Sequence, residues 1–302
     1  MFCYCPFYSW NRCPSVNQYR KGRSGKIIKD CTTCVYAHDE SNYDEVLRIL
    51  KLGESGYMQE KTEKCDKRSV PTVSPKLVGI SVGPGDSRLL TKQAVDAIME
   101  SDIILIPASS KEGCRAYNIA LDAVPQLACI DCECIPFPMS MKEPELSAFH
   151  SEVADRVEKH LDDNKTVGFL TIGDASIYST YDYIERLVRE DGYTTQYISG
   201  VSSFCAAAAR LGIPLAVGSE EIHIIPGSAD VEQALTLSGT LVFMKSGKSL
   251  EALKSLLIKA EQERGIEVYA VSNCGMDNEY VSYGAKNICV EKGYLTVVIV
   301  RQ

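Results

Sequence analysis

The chain has 302 residues, 45% of them apolar and 24% charged, a globular composition long enough for two or three domains. It contains no run of about twenty apolar residues, so no membrane helix is expected. Residues 1–75 carry 12 Lys and Arg against 9 Asp and Glu, whereas residues 76–302 carry 20 against 31, a net charge of −11 that argues against a nucleic-acid partner.

The N-terminus has no basic start followed by an apolar core, so it does not read as a signal peptide and a cytoplasmic protein is expected. Five of the thirteen cysteines, Cys3, Cys5, Cys13, Cys31 and Cys34, fall in the first 34 residues. Together with His38 in Cys31-x-x-Cys34-x-x-x-His38 they supply enough soft donors for one tetrahedral zinc. Reduced thiols without metal are the alternative. An amphipathic stretch over 42–52, with Tyr43, Val46, Leu47 and Leu50 at helical spacing, closes this module at residues 1–52. Residues 53–75 are polar, charged and proline-bounded, and read as a linker.

From Lys76 onward short apolar runs alternate with helical periodicities. Strands are predicted at 77–82, 102–106, 166–172, 193–198, 222–225, 240–244, 267–271 and 295–300. Helical spacing appears in Leu146, Phe149, Val153, Val157 and Leu161, and again in Ile177, Tyr181, Ile184 and Val188. This is an α/β pattern with at least partly parallel sheets. Its length suggests two lobes, 76–192 and 193–302. Cys129, Cys132 and Cys134 lie on an extended stretch and read as buried or free thiols; His150, His160 and His223 read as packing or surface residues.

Five loops carry candidate chemistry. Val82-Gly83-Pro84-Gly85-Asp86 is a strand running into a glycine-rich turn, either a ligand loop or a tight turn in which Asp86 caps the next helix. Its spacing is not a dinucleotide fingerprint, because Arg88 stands where the third glycine belongs. Gly173-Asp174-Ala175-Ser176 follows the strand at 166–172, where α/β proteins place ligands; helix capping explains it equally well. Ser199-Gly200-Val201-Ser202-Ser203 leads into a helix of small residues, which by itself signals close packing. Met244-Lys245-Ser246-Gly247-Lys248 lacks the first glycine of a phosphate-binding P-loop. Asn273-Cys274-Gly275-Met276 ends the strand at 267–271.

In their order and spacing these loops resemble the tetrapyrrole methylase family across residues 76–302. Val82–Asp86 with Leu89-Leu90-Thr91 matches its opening motif. Gly173-Asp174 matches its Gly-Asp-Pro motif with Ala175 in place of proline, and Gly200–Ser203 its Pro-Gly-x-Ser motif with Ser199 in place of proline. The phrase from Ile172 to Thr180, Phe137-Pro138-Met139 and residues 206–214 look like the branch that methylates carbon 20 of precorrin-2 or its cobalt counterpart. Pro107 stands where the uroporphyrinogen-methylating branch carries an acidic residue.

The resemblance implies a two-lobed α/β fold with S-adenosylmethionine as cosubstrate. It would touch Pro84, Ile172, Gly173, Asp174, Ile177, Ser202, Ser203, Met244 and Gly275. Asp86 and Tyr178 are candidates for the base that removes the proton after methyl transfer. Arg88, Lys111, Arg115, Lys245 and Lys248 are candidate clamps for substrate carboxylates, or else solvated surface charges. The N-terminal segment resembles a cysteine-rich small domain found alone or fused to cobalamin-pathway proteins, for which zinc fits a structural role. A homodimer and hand-over contacts with other pathway enzymes are expected. The rival readings are a sister enzyme for another tetrapyrrole carbon, a diphthine synthase-like enzyme, and a silent fold that binds tetrapyrrole or delivers metal.

Overall fold

The computed structural model describes residues 18–21, 27–30, 42, 44–51, 75–138 and 143–302. The chain divides into two units, Met1–Val73 and Ser74–Gln302. In the first unit β1 (Gln18–Lys21) and β2 (Ile27–Asp30) form an antiparallel ribbon, with Gln18 opposite Asp30 and Lys21 opposite Ile27. Helix α1 spans 44–51, and Glu45 pairs with Arg48 at 2.7 Å. Its apolar face differs from the predicted one: Val46 and Ile49, three residues apart, are buried, while Leu47 and Leu50 are exposed. Cys3, Cys5, Cys13, Cys31, Cys34 and His38 lie outside the described residues, as does nearly all of the expected linker.

The second unit carries two five-stranded sheets. The first holds β3 (Lys76–Ser81), β4 (Ile103–Ile106), β5 (Asp131–Cys134), β6 (Val167–Thr171) and β7 (Thr194–Ile198), all parallel, in the order β5-β4-β6-β3-β7. Its helices are α2 (Lys92–Glu100), α3 (Arg115–Ala123), α4 (Glu145–Asp162) and α5 (Tyr181–Glu190). Val78, Ile80, Ile104 and Ile106 pack with α2 and α3 on one face. Leu77, Ile103, Leu105, Val167 and Phe169 pack with α4 and α5 on the other. Cover on both faces explains why the central strands read as continuous apolar runs. At the outer edge, Glu133 of β5 holds Arg156 at 2.7 Å and His160 at 2.8 Å, which fastens that strand to α4.

The expected break between lobes at 192/193 is corrected here. β7 pairs with β3 from Lys76↔Thr194 to Ile80↔Ile198, so the change of sheet comes after Ile198. The turn at Asp191-Gly192 that suggested the break only joins α5 to the last strand of the same sheet.

Helix α6 (Ser203–Leu211) leads to the second sheet, made of β8 (Ile222–Pro226), β9 (Thr240–Met244), β10 (Glu267–Ser272), β11 (Tyr280–Tyr283) and β12 (Thr296–Arg301). Their order is β11-β10-β12-β9-β8; β8 and β9 run parallel and the other neighbours antiparallel. The short helix α7 (Val231–Ala234) and the long helix α8 (Leu250–Arg264) cover one face, over Leu241, Phe243, Val298 and Val300. The alternate residues Val242, Val271, Val297 and Ile299 meet α6 through Phe204, Ala206, Ala207 and Ala208. Leu89 and Ile177, from loops of the first sheet, join this cluster and make the seam between the lobes. The small residues of α6 thus allow close packing at that seam. Among the described residues no helix is long and apolar enough to cross a membrane.

One side chain ties three strands of the first sheet together. Tyr181 is fully buried against Phe169 and Tyr197, and its single hydroxyl proton is shared between the carbonyls of Gln196 (2.8 Å) and, more weakly, Leu77 (3.2 Å). Burial pushes this hydroxyl far above the usual tyrosine range, so it stays a donor at every working pH. Tyr181→Phe removes the donor while keeping the ring, and should lower the unfolding free energy by about 1–2 kcal/mol in urea denaturation.

Candidate functional site

Loops at the carboxyl ends of β3, β4, β6 and β7 meet the starts of α6 and β12 and the end of β9 around a cavity of about 350 Å³. That position, outside the carboxyl ends of parallel strands, is the usual ligand site of an open α/β sheet. The floor is main chain. Gly83 and Gly173, at φ of 75° and 78°, exchange backbone hydrogen bonds of 3.2 and 2.8 Å. Only glycine adopts that left-handed geometry at little cost. Beneath them the buried Ser81 hydroxyl donates to the Ile198 carbonyl at 2.5 Å and accepts from the Ala175 amide at 2.8 Å. Gly200 fits because it has no side chain: a Cβ there would stand 2.5 Å from the Ser81 Cβ and 2.6 Å from the Gly173 oxygen.

Asp174 is the acid of the lining, and its carboxylate is largely engaged. One oxygen accepts from the Ser176 amide (2.8 Å) and hydroxyl (2.5 Å), the other from the Gly200 amide (2.9 Å). Burial pushes its pKa up, but the bonds from Ser176 and Gly200 outweigh that and hold it below the usual carboxylate range. Asp174 therefore clamps the third loop to the second, with one lone-pair direction left for a ligand. Thr91 adds a further tie: its hydroxyl caps α2 at the Ala94 amide (3.1 Å) and donates to the Ser199 carbonyl (3.2 Å).

Of the predicted cosubstrate contacts, Pro84, Ile172, Gly173, Asp174, Ile177, Ser202, Ser203 and Met244 line this one cavity. Gly275 stands behind it, against the Asp86 backbone, and its neighbour Cys274 takes the lining position. Glu279 fixes that loop by accepting from the Gly275 amide at 2.8 Å while pairing with Arg210 of α6. Ile177 lies in the loop, not in a helix, because α5 begins only at Tyr181.

Of the two predicted bases, Tyr178 lines the cavity and Asp86 does not. Asp86 caps the 3-10 turn Ser87–Leu89 through the Arg88 amide (3.0 Å) and pairs with the Arg88 guanidinium at 2.5 Å. Arg88 holds its carboxyl below the usual range, which makes it a poor proton acceptor. Asp86 and Arg88 thus stand outside the cavity lining and pair with each other. Lys111, set over the Tyr117 ring at 5.6 Å, and Lys248, on the turn Gly247–Ser249, also lie outside the lining; Arg115 and Lys245 lie within it.

Pro107, noted in the sequence only as a departure from the uroporphyrinogen-methylating branch, also lines the cavity; Ala108, at the end of a parallel strand, and residues 294–297, at the start of the predicted last strand, were not assigned to the site. Three non-glycine residues of the candidate loops hold a positive φ that the sequence did not announce: Tyr178 (49°), Lys245 (56°) and Asn273 (50°). Such backbone conformations gather at functional sites. No cluster of potential metal ligands occurs among the described residues. Cys114, Cys129, Cys132 and Cys134 are free thiols, as expected for the last three.

Comparison with known proteins places this geometry. The family model "Tetrapyrrole (Corrin/Porphyrin) Methylases" matches residues 76–284, and a "Cysteine-rich small domain" model matches residues 1–62, reaching into the stretch read as linker. A probable cobalt-precorrin-2 C(20)-methyltransferase of Methanocaldococcus jannaschii is 34% identical over 179 residues, covering 59% of this chain and 75% of the relative. The cobalt-precorrin-2 C(20)-methyltransferase of Salmonella typhimurium is 33% identical over 189 residues, covering 61% and 78%. Among solved structures, the cobalt precorrin-4 methyltransferase CbiF superposes with a TM-score of 0.62 at 16% identity, over 78% of this chain and 98% of that one, which establishes a likeness of fold.

The Asp174 clamp has a pH signature. A carboxyl whose pKa is lowered by folding stabilises the native state above its unfolded pKa, about 3.9, and loses that contribution as pH falls through the folded value. Asp174→Asn should cost about 1–2 kcal/mol at pH 7. The gap to the parent should begin to narrow as the pH of thermal unfolding is lowered past about 4 and should close only below the lowered folded pKa.

Proposed function

The chain belongs to the tetrapyrrole methylase family, and from that premise we propose that it methylates carbon 20 of cobalt-factor II or its metal-free counterpart, precorrin-2. At the coarser level it is an S-adenosylmethionine-dependent methyltransferase acting on a tetrapyrrole carbon in the cobalamin and siroheme pathways. The observation that carries the cosubstrate assignment is the gathering of eight motif residues around one cavity. The choice of carbon 20 is supported by the names of two relatives above 30% identity, both of which specify the cobalt form. A precorrin-2 C(20)-methyltransferase from a Sinorhizobium species, whose name does not specify cobalt, is 27% identical, which supports the cobalt-loaded substrate as the first choice.

The cavity suits the cosubstrate. Its volume lies within the range of ligand pockets, and a Cβ placed on Gly173 would meet no atom within 4 Å, so the backbone there is open to close approach. Ile172, Gly173 and Asp174 would hold S-adenosylmethionine from the floor, Ile177 and Met244 through apolar contact, and Ser202 and Ser203 through amides at the start of α6. When bound, the cosubstrate supplies an electrophilic methyl on a sulfonium that leaves without being protonated. The protein's task is then to align a nucleophilic carbon with that methyl and to keep water away. The interlocked loops provide the fixed floor for this alignment. Arg115 and Lys245 would hold substrate carboxylates at the rim, and Tyr178 is the predicted base that reaches the cavity.

In the N-terminal module the donor set of five cysteines and one histidine fits zinc, which would be read by elemental analysis of the purified protein. A homodimer that passes its product to other pathway enzymes belongs to the same proposal.

The test is an anaerobic assay of the purified chain with S-adenosylmethionine, offering cobalt-loaded and metal-free dimethylated tetrapyrrole in parallel. The expected outcome is a mass gain of one methyl, mapped to carbon 20, faster on the cobalt form. Tight cosubstrate binding without transfer to either would redirect the reading to another tetrapyrrole carbon. Absence of cosubstrate binding would overturn it.

A further inference from the structure

The cavity lining holds two cations, Arg115 and Lys245, and one carboxylate, Asp174, which is already engaged by Ser176 and Gly200. Lys245 is unusual in what surrounds its ammonium. It sits just past the end of β9, donates to the backbone carbonyl of Tyr178 across the cleft, and lies 5.9 Å from the ring centres of both Tyr178 and Tyr294. Each of these partners is neutral, and among the described residues no carboxylate pairs with Lys245. The two tyrosines are 42% and 43% exposed, which places this contact at the mouth of the cavity.

The residues that meet here are held in uncommon conformations. Lys245 and Tyr178 both have left-handed backbones, at φ of 56° and 49°. The Tyr178 hydroxyl adds a long bond of 3.4 Å to the Ile224 carbonyl on edge strand β8. Tyr178 belongs to the same loop as Ile172, Gly173, Asp174 and Ile177, so whatever holds or frees Tyr178 acts on the floor assigned to the cosubstrate.

We propose that Lys245 is a latch and a positioning residue: its ammonium holds the Tyr178 carbonyl across the cleft until a carboxylate of the incoming substrate takes that carbonyl's place. The idea rests on the tetrapyrrole reading above, since that substrate class carries carboxylates. Both bonds have a charged donor, but a carboxylate adds the attraction of opposite charges that the neutral carbonyl does not offer, so the exchange runs toward the substrate. Release of Tyr178 removes one of the two hydrogen bonds that, among the described residues, join it to the second lobe, and leaves the packing of Ile177 at the seam. Substrate binding at the mouth is thereby coupled to the cosubstrate loop, and such coupling must be reciprocal.

Hydrogen–deuterium exchange of the full chain reads the latch directly, with the parent, Lys245→Met and Lys245→Gln compared. Far-ultraviolet circular dichroism and the thermal unfolding midpoint of each variant verify that the fold survives. In the parent, cobalt-loaded dimethylated tetrapyrrole should speed exchange over residues 176–181, and the same compound with its carboxyls esterified should not. In both variants that segment should exchange at the faster rate before any tetrapyrrole is added. The KM for the tetrapyrrole should rise about tenfold or more, the loss expected for one charge-assisted bond. A plain carboxylate clamp would raise KM without changing exchange in the ligand-free variants, and that result would overturn the latch. Methyl transfer by the parent with unchanged exchange on tetrapyrrole binding would also overturn it while leaving the methyltransferase reading intact. Absence of transfer to any tetrapyrrole would instead remove the reading on which the latch rests.

Discussion

Gly83 and Gly173 exchange hydrogen bonds across the carboxyl edge of the first sheet, and the rest of the site is organised around that crossing. The two amides and two carbonyls satisfy one another, which leaves the loops after β3 and β6 side by side rather than splayed. Ser81 carries the tie to β7, Asp174 carries it onward to Gly200, and Thr91 joins the start of α2 to Ser199. Three strand ends thus become one surface of main chain. A ligand meets backbone there, at positions where a side chain would either demand a left-handed conformation or collide with Ser81.

This network also explains how two departures from the family's prolines are accommodated. Proline fixes φ but has no N–H. With Ala175 in that place, the freed amide donates to the Ser81 hydroxyl at 2.8 Å, and a directed hydrogen bond does the positioning that a ring would otherwise do. At the other site, the Ser199 carbonyl accepts from Thr91, which restrains the chain just before Gly200. Rigidity at both loops comes from partners distant in sequence, so the loops keep their form only when β3, β6 and β7 are already assembled.

That dependence sets what could be read from the sequence alone. Eight of the ten strands of the two sheets and the five loops were legible, because apolar runs and glycine-bearing turns are local signals. The short edge strand β11 was not predicted and β5 was read only as an extended stretch, since neither is a continuous apolar run. The break between lobes was misplaced because Asp191-Gly192 looks the same whether the following strand starts a new sheet or completes the old one; only the pairing of β7 with β3 decides it. Asp86 looked like a candidate base for a similar reason. Its motif does face the cleft region, but the neighbouring Arg88 takes the carboxylate, and a pairing two residues away competes with any catalytic role. The Lys245–Tyr178 contact joins residues 67 apart through a side chain and a backbone carbonyl, a pairing that no periodicity announces.

The uneven charge acquires a meaning once the cavity is known. The body from residue 76 onward is strongly acidic, so it attracts no polyanion from a distance, and anion binding must rely on local geometry. Arg115 illustrates this. It is the first residue of α3, where the helix macrodipole disfavours a cation, and its position therefore does nothing for the helix. The same arrangement favours an anion arriving from the cavity, because the guanidinium and the amide end of α3 both present positive potential to it. With Asp174 turned inward to the loops and Arg115 and Lys245 in the lining, the cavity presents positive charge at short range inside a body whose net charge is negative.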